Sequence, residues 1–144
     1  MLDAGYKANV IPGQAHAVVD GRFLPGMRDD FLAQVNAVLG PDIGREHLVE
    51  DIALETAFAG PVVEAMVAAL LEHDPHSRAV PYTLSGGTDA KAFASLGITG
   101  YGFAPLRLPP SLAFADLFHG VDERVPTEAL RFGARVLDRF LDLV

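Results

Sequence analysis

Apolar positions along the chain change period several times, and each change marks an expected element. From Gln14 to Leu24 they alternate, with Ala15, Ala17, Val19 and Phe23 on one face and His16, Asp20 and Arg22 on the other, which predicts a strand. Asn9-Val10-Ile11-Pro12-Gly13 before it reads as a turn, and Pro25-Gly26 ends it. From Met27 to Leu39 the period lengthens to that of a helix, carried by Phe31, Leu32, Val35, Val38 and Leu39, and Gly40-Pro41 stops it. His47 to Phe58 looks like a second strand with imperfect alternation. Strand, helix, strand is half of a ferredoxin-like unit, which needs a second such half to close its sheet.

Ala59-Gly60-Pro61 is the expected boundary, dividing the chain into 1–58 and 59–144. Pro61 to Glu72 reads as a helix with proline in its first turn. After the polar loop His73-Asp74-Pro75-His76 comes a short apolar strand, Ala79 to Leu84. The glycine turn Ser85-Gly86-Gly87-Thr88-Asp89 follows, then a short helix from Ala90 to Leu96 closed by Gly97, then another strand, Ile98 to Phe103. That order suggests a βαβ unit with a parallel pair. A proline-containing connection, Ala104 to Phe118, leads to a final helix over Thr127 to Val144. Its expected inner stripe is Leu130, Ala134, Leu137 and Leu141, and its wet face Arg131, Arg135, Asp138, Arg139 and Asp142. The fold class is α/β: an α+β first part and a βαβ C-terminal part.

Composition narrows the function classes. Half of the 144 residues are hydrophobic and 21% charged, as in ordinary globular chains rather than disordered ones. The net charge of -8 argues against nucleic acid or an anionic membrane as main partner, since both demand basic patches. No cysteine is present, so a metal would have to be held by His, Asp or Glu. The first residues do not read as a signal peptide and no apolar run approaches a membrane span. The expectation is a soluble, cytoplasmic protein.

Several stretches can carry chemistry, each with a plainer alternative. His119 lies in Phe118-His119-Gly120-Val121-Asp122-Glu123-Arg124, after an apolar run, where it is expected to enter a cleft. It is either a hydrogen-bonded imidazole or a metal ligand. Asp122-Glu123-Arg124 can supply a carboxylate that orients it, or form a salt-bridged lead-in to the final helix. In the glycine turn, Gly86 and Gly87 let the backbone approach a ligand, and Thr88 with helix-initial N–H groups can hold a carboxylate. Alternatively Thr88 or Asp89 simply caps the helix. Arg22 can clamp a carboxylate in bidentate fashion or pair with a neighbour. Asn9 can contact substrate or stabilise its turn. His16 is expected to be solvated, and His73 and His76 are weak metal candidates. There is neither a P-loop, nor a dinucleotide fingerprint, nor a serine nucleophile elbow.

Three of these stretches, in this order, resemble one family. Asn9-Val10-Ile11-Pro12-Gly13 with Val19-Asp20-Gly21-Arg22-Phe23-Leu24-Pro25-Gly26 is similar to the lid-domain signature of the co-catalytic zinc peptidases. That family includes aminoacylase, acetylornithine deacetylase, succinyl-diaminopimelate desuccinylase and carboxypeptidase G. Ser85-Gly86-Gly87-Thr88-Asp89-Ala90 resembles its substrate-binding glycine turn, and Phe118-His119-Gly120-Val121-Asp122-Glu123-Arg124-Val125 its last metal-ligand motif. The resemblance covers nearly the whole chain. It implies that 1–58 is part of a lid and dimerisation domain, and 59–144 the C-terminal part of a catalytic domain. It implies that His119 is a zinc ligand, with cobalt or manganese as other possible metals. Asn9, Arg22, Gly86, Gly87 and Thr88 would contact a small-molecule or peptide substrate with a free carboxylate. A homo-oligomer is implied as well.

The chain also departs from the family. Members carry a His-x-Asp ligand pair, a bridging aspartate and a Glu-Glu pair whose first member is the general base, and nothing in this sequence resembles them. The sequence reads as starting inside the lid domain. No residue is assigned as catalytic, and the isolated chain is expected to be inactive. Other readings are a non-catalytic remnant that dimerises and a module that binds a small carboxylate through Arg22 and Thr88.

Overall fold

Two short segments pair near the start of the chain in the computed structural model, which describes residues 1–144. Strand β1 (Leu2–Ala4) runs antiparallel to β2 (Ala15–Ala17), with Leu2 opposite Ala17, Asp3 opposite His16 and Ala4 opposite Ala15. Met1 extends the ladder: its ammonium donates to the Val18 carbonyl at 2.9 Å, and its carbonyl accepts from the Val18 N–H at 2.8 Å. The strand expected over Gln14–Leu24 is therefore much shorter. Alternation stabilises a strand only where one face is buried, and every residue from Met1 to Arg22 is exposed. Strand β1 left no mark in the pattern because three residues are too few to show a period.

The ladder belongs to the first of two compact units, Met1–Leu54 and Glu55–Val144. Helix α1 (Arg28–Leu39) completes this unit's regular structure. Asp29 and Asp30 in its first turn suit the positive end of the helix dipole, and Gly40, at φ 70°, ends it. Phe31, Leu32, Val35 and Leu39 are half-buried, but Val38 is exposed and lies off the stripe. The Phe31 ring sits 5.6 Å from that of Phe23. No side chain of this unit is fully buried. His47–Phe58 forms no strand; Leu48 and Val49 are exposed, and Glu50 ion-pairs with Arg28 and lies 3.3 Å from His47 Nδ1 instead.

The second unit holds the hydrophobic core. Helix α2 (Pro61–His73) starts where Gly60, at φ 99°, turns the chain into the first-turn proline. It buries Val63, Ala65 and Ala69. Helix α4 (Thr127–Leu141) buries Ala129, Phe132, Gly133 and Val136. Ala69, Phe132 and Val136 form the core, flanked by Leu70, Phe103 and Phe140. Burying a side chain such as Val136 or Phe132 stabilises by roughly 1.5–3 kcal/mol. Glycine at 133 is required by close approach: a Cβ there would stand 3.1 Å from the Pro105 carbonyl oxygen and 3.3 Å from Leu106 Cδ2. An exposed pair, Arg139 Nε to Glu72 Oε2 at 2.7 Å, joins α2 to α4, and pairs of this kind contribute little.

Two expectations are corrected here. The inner stripe of α4 is not Leu130, Ala134, Leu137 and Leu141, all of which are exposed; it is the adjacent stripe through Phe132, Val136 and Phe140. Both sets have helical spacing. The stripe with two aromatic rings and a glycine has the volume and the flat approach that the neighbouring elements fill. The βαβ unit does not form either. Helix α3 (Ala90–Ser95) is present, but Ala79–Leu84 and Ile98–Phe103 make no ladder. A parallel pair needs both faces covered, whereas Val80 and Tyr82 are largely exposed and Ile98 half so. The stop at Gly97 is as expected: at φ 75° it donates to Ala94 O, and Ile98 N–H to Phe93 O, both at 3.0 Å, a Schellman closure. No helix is long and apolar enough to cross a membrane.

The stripe assignment is testable by urea unfolding of the chain. Phe132→Ala should lower stability by about 3–5 kcal/mol, and Leu130→Ala by about 0.5 kcal/mol or less. Comparable losses at both positions would put the buried face elsewhere.

Candidate functional site

The segment after Phe103 is organised by the helix that follows it. Pro105 is buried, and the Arg107 guanidinium lies 6.0 Å from the centre of the Phe132 ring. From there the chain makes an excursion whose two ends meet again. Pro109, Ser111 and Leu112 face Arg124, Val125 and Pro126 across a shallow cleft of about 270 Å³. Loops of this type are packed by their own side chains and are frequently functional. Here Phe114, which opens the 3₁₀ turn Phe114–Leu117, meets Phe118 edge-on at 5.1 Å.

His119 stands at the tip of this excursion. Phe118 has φ -58° and ψ 123°, His119 has φ 59°, and the Gly120 N–H donates to Leu117 O at 2.9 Å. These are the angles of a type II turn, whose third position normally takes Gly or Asn because φ is positive there. Histidine occupies it instead and is the chain's one non-glycine residue with positive φ. An L-residue in this region costs about 1–2 kcal/mol. Gly120 has its own reason to be glycine, since a Cβ would come 3.1 Å from Leu117 O. The His119 N–H donates to Glu123 Oε2 at 3.1 Å. Arg124 pairs with Asp122. Of the acidic lead-in, Asp122 is thus salt-bridged to Arg124, and Glu123 meets the backbone of His119. His119 is exposed rather than entering a cleft, although Leu112, Phe114 and Leu117 before it are half-buried.

Asn9, Arg22 and the glycine turn are exposed too. Gly86, Gly87 and Thr88 precede α3, and the Asp89 side chain does not cap it. Thr88 contributes its carbonyl, which accepts from the Lys91 N–H at 3.2 Å. A Cβ on Gly87 would lie 4.0 Å from Lys91 Nζ, so an ammonium lies close to the glycine turn. In the first unit, Asn9 sits in a turn where Val10 N–H donates to Lys7 O at 3.3 Å. Arg22 donates to Asp20 Oδ2 through Nε at 3.1 Å and Nη2 at 2.7 Å. This bond, and the charge attraction behind it, hold the Asp20 carboxyl below its ordinary value and raise Arg22 above its own. A substrate carboxylate at Arg22 would have to displace Asp20. A cleft of about 370 Å³ in this unit is lined by Asp3, Tyr6, Gln14 and His16 among others, but not by Asn9 or Arg22. His73 is half-buried and His76 exposed, and the Asp74 carboxylate beside them lies 3.7 Å from Arg107.

The resemblance implies zinc, and the side chains can be tested against it. A catalytic zinc takes about three protein ligands and an open position. No group of three or more His, Asp or Glu side chains is brought together so as to hold a metal ion. The donor set of this chain does not by itself fit a zinc centre; His119 offers one imidazole.

No family model matches the chain, and no solved structure matches it. The sequence is similar to Probable carboxypeptidase S-like 2 of Dictyostelium discoideum, at 28% identity over 131 residues, 87% of this chain and 24% of that protein. It is similar to the N-fatty-acyl-amino acid synthase/hydrolase of Bos taurus, at 26% identity over 151 aligned positions, 98% of this chain and 29% of that one. Both relatives bear hydrolase names. Their similarity is consistent with the peptidase family that the motifs resemble, without selecting among its members. The chain spans about a quarter of the length of these relatives.

The state of Arg22 can be checked by following the Asp20 carboxyl by NMR. Removing the cation in Arg22→Ala should move its titration up toward the ordinary value of 3.8. In the unaltered chain the depressed carboxyl contributes stability that is present above its unfolded value and lost as pH falls through its folded one. An unchanged Asp20 titration in Arg22→Ala would show that the pair is not formed in solution.

Proposed function

We infer that this chain is part of a zinc-dependent amidohydrolase that cleaves an amide bond next to a carboxylate, in an N-acyl amino acid or small peptide. The observation that supports it best is similarity along nearly all of the chain to two proteins named as hydrolases, one a carboxypeptidase and one acting on N-acyl amino acids. In this reading 1–58 is part of a lid and dimerisation domain, and 59–144 the C-terminal part of the catalytic domain. His119 is one metal ligand. Asn9, Arg22, Gly86, Gly87 and Thr88 contact the substrate, with Arg22 exchanging Asp20 for the substrate carboxylate. The site is completed by ligands and a general base that this chain does not hold, because water activation needs a base within hydrogen-bond reach. Alone, the chain is inactive.

Self-association belongs to the same reading. Ile11, Val49 and Val121 are almost fully exposed, and the short ladder β1–β2 leaves unpaired backbone groups at its edges, which invite pairing with another copy.

Three measurements test this. The purified chain with added zinc or cobalt should hydrolyse no N-acyl amino acid, and clear turnover would overturn the claim of an incomplete centre. Equilibrium dialysis should show weak zinc binding that His119→Ala abolishes; equal binding by both would remove His119 from the ligand role. Light scattering should give a mass above the 15.3 kDa of one chain, and a strictly monomeric profile would contradict self-association.

A further inference from the structure

We propose that Glu123 is a positioning residue for His119: its carboxylate clamps the His119 backbone in the left-handed turn and so fixes which side of the Phe118–His119 peptide, carbonyl or N–H, stands beside the imidazole. Two observations meet at this point. His119 is the one non-glycine residue held at positive φ, at 59°. Such strain persists only where surrounding structure over-determines it, and it clusters at functional positions. Its N–H is taken up by Glu123 Oε2 at 3.1 Å, four residues further along.

The neighbouring bonds explain why one carboxylate suffices. The turn is closed on one side by Gly120 N–H to Leu117 O at 2.9 Å. That bond fixes the turn's span but does not engage the peptide N–H of His119. Rotation of the Phe118–His119 peptide would exchange this turn for one in which His119 has an ordinary negative φ, and it would carry the His119 N–H away from Glu123. The Glu123 bond therefore opposes the relaxation that histidine would otherwise favour. Such a rotation leaves the His119 Cα–Cβ bond nearly in place, so losing the clamp exchanges the Phe118 carbonyl for an N–H beside the imidazole without unfolding anything. Asp122 is not available for this task, since it is paired with Arg124, and Glu123 N–H donates weakly to Gly120 O at 3.4 Å, keeping the carboxylate-bearing residue folded back over the turn.

The proposal rests on the reading of His119 as a metal ligand only for the clamp's purpose; the clamp itself is measurable without metal or substrate. The full chain is compared by NMR with Glu123→Ala and Glu123→Gln. In Glu123→Ala the His119 amide should exchange about three- to tenfold faster, as expected for the loss of one hydrogen bond. Its N–H to Hα coupling should move toward that of a negative-φ residue, and its ring resonances should shift. Glu123→Gln keeps an acceptor oxygen and should restore the amide exchange rate to within about twofold. The core amide of Val136 should not change in either variant. The proposal is overturned if Glu123→Ala leaves the His119 exchange and coupling unchanged, or if exchange at Val136 rises in parallel, which would mark general loosening. A failed ligand role for His119 in dialysis would leave this result standing, so the two claims fail separately.

Discussion

The packing of α4 on α2 is the constraint on which the second unit depends. Ala69 and Val136 are completely excluded from solvent and Phe132 nearly so, and no other cluster in the chain reaches that degree of burial. The contact is close because small residues alternate with large ones: Ala69 on α2 leaves room for the Phe132 ring, and Gly133 lets the backbone at Pro105 lie against α4. Everything that bears on His119 hangs from this contact. The loop carrying it departs from residues lodged against the middle of α4 and returns at the start of the same helix. The first unit has no comparable centre. Its order comes from a short ladder, one helix and a Phe23–Phe31 contact, each of which buries little.

That difference explains which parts of the fold were legible in the sequence. The helices were read within a residue at their starts, and within a residue at their ends except for α4, because their boundaries are chemical: Gly40, the Gly60-Pro61 step, Gly97 and Pro126 act through local backbone geometry. The strands were not. Alternation in Ala15–Phe23 or Ala79–Leu84 describes what a chain would do if a sheet were there to receive it, and pairing partners and cover are not local properties. The error in α4 has a related origin. Leu130, Leu137 and Leu141 have as good a period as Phe132, Val136 and Phe140, and only the shape of the facing surface chooses between them.

The candidate site was legible as chemistry rather than as geometry. Residue types picked out His119, Arg22 and the glycine turn, together with the resemblance they carry. They gave no sign that His119 has positive φ, because the glycine that usually marks such a position stands one residue later, at 120. They gave two readings of the acidic run without choosing between them. The structure divides the labour, Asp122 to Arg124 and Glu123 to the peptide of His119. For Arg22 the neighbour reading is the one observed, with Asp20 as the neighbour.

The meeting of the two ends of the His119 excursion has a consequence for how such a chain can vary. When a loop begins and ends on one rigid anchor, lengthening it adds only a logarithmic closure entropy, about 0.6 kcal/mol for each doubling. Insertions between Leu108 and Phe114 would therefore leave the Phe132 core untouched. The five residues from His119 to Glu123 have no such freedom, because a hydrogen bond spans them end to end. Related chains built on this plan can thus differ widely in the reach and contour of the loop while the spacing of one short segment stays constant. Tolerance and rigidity lie side by side in the same connection, and the boundary between them falls just before the turn at Leu117.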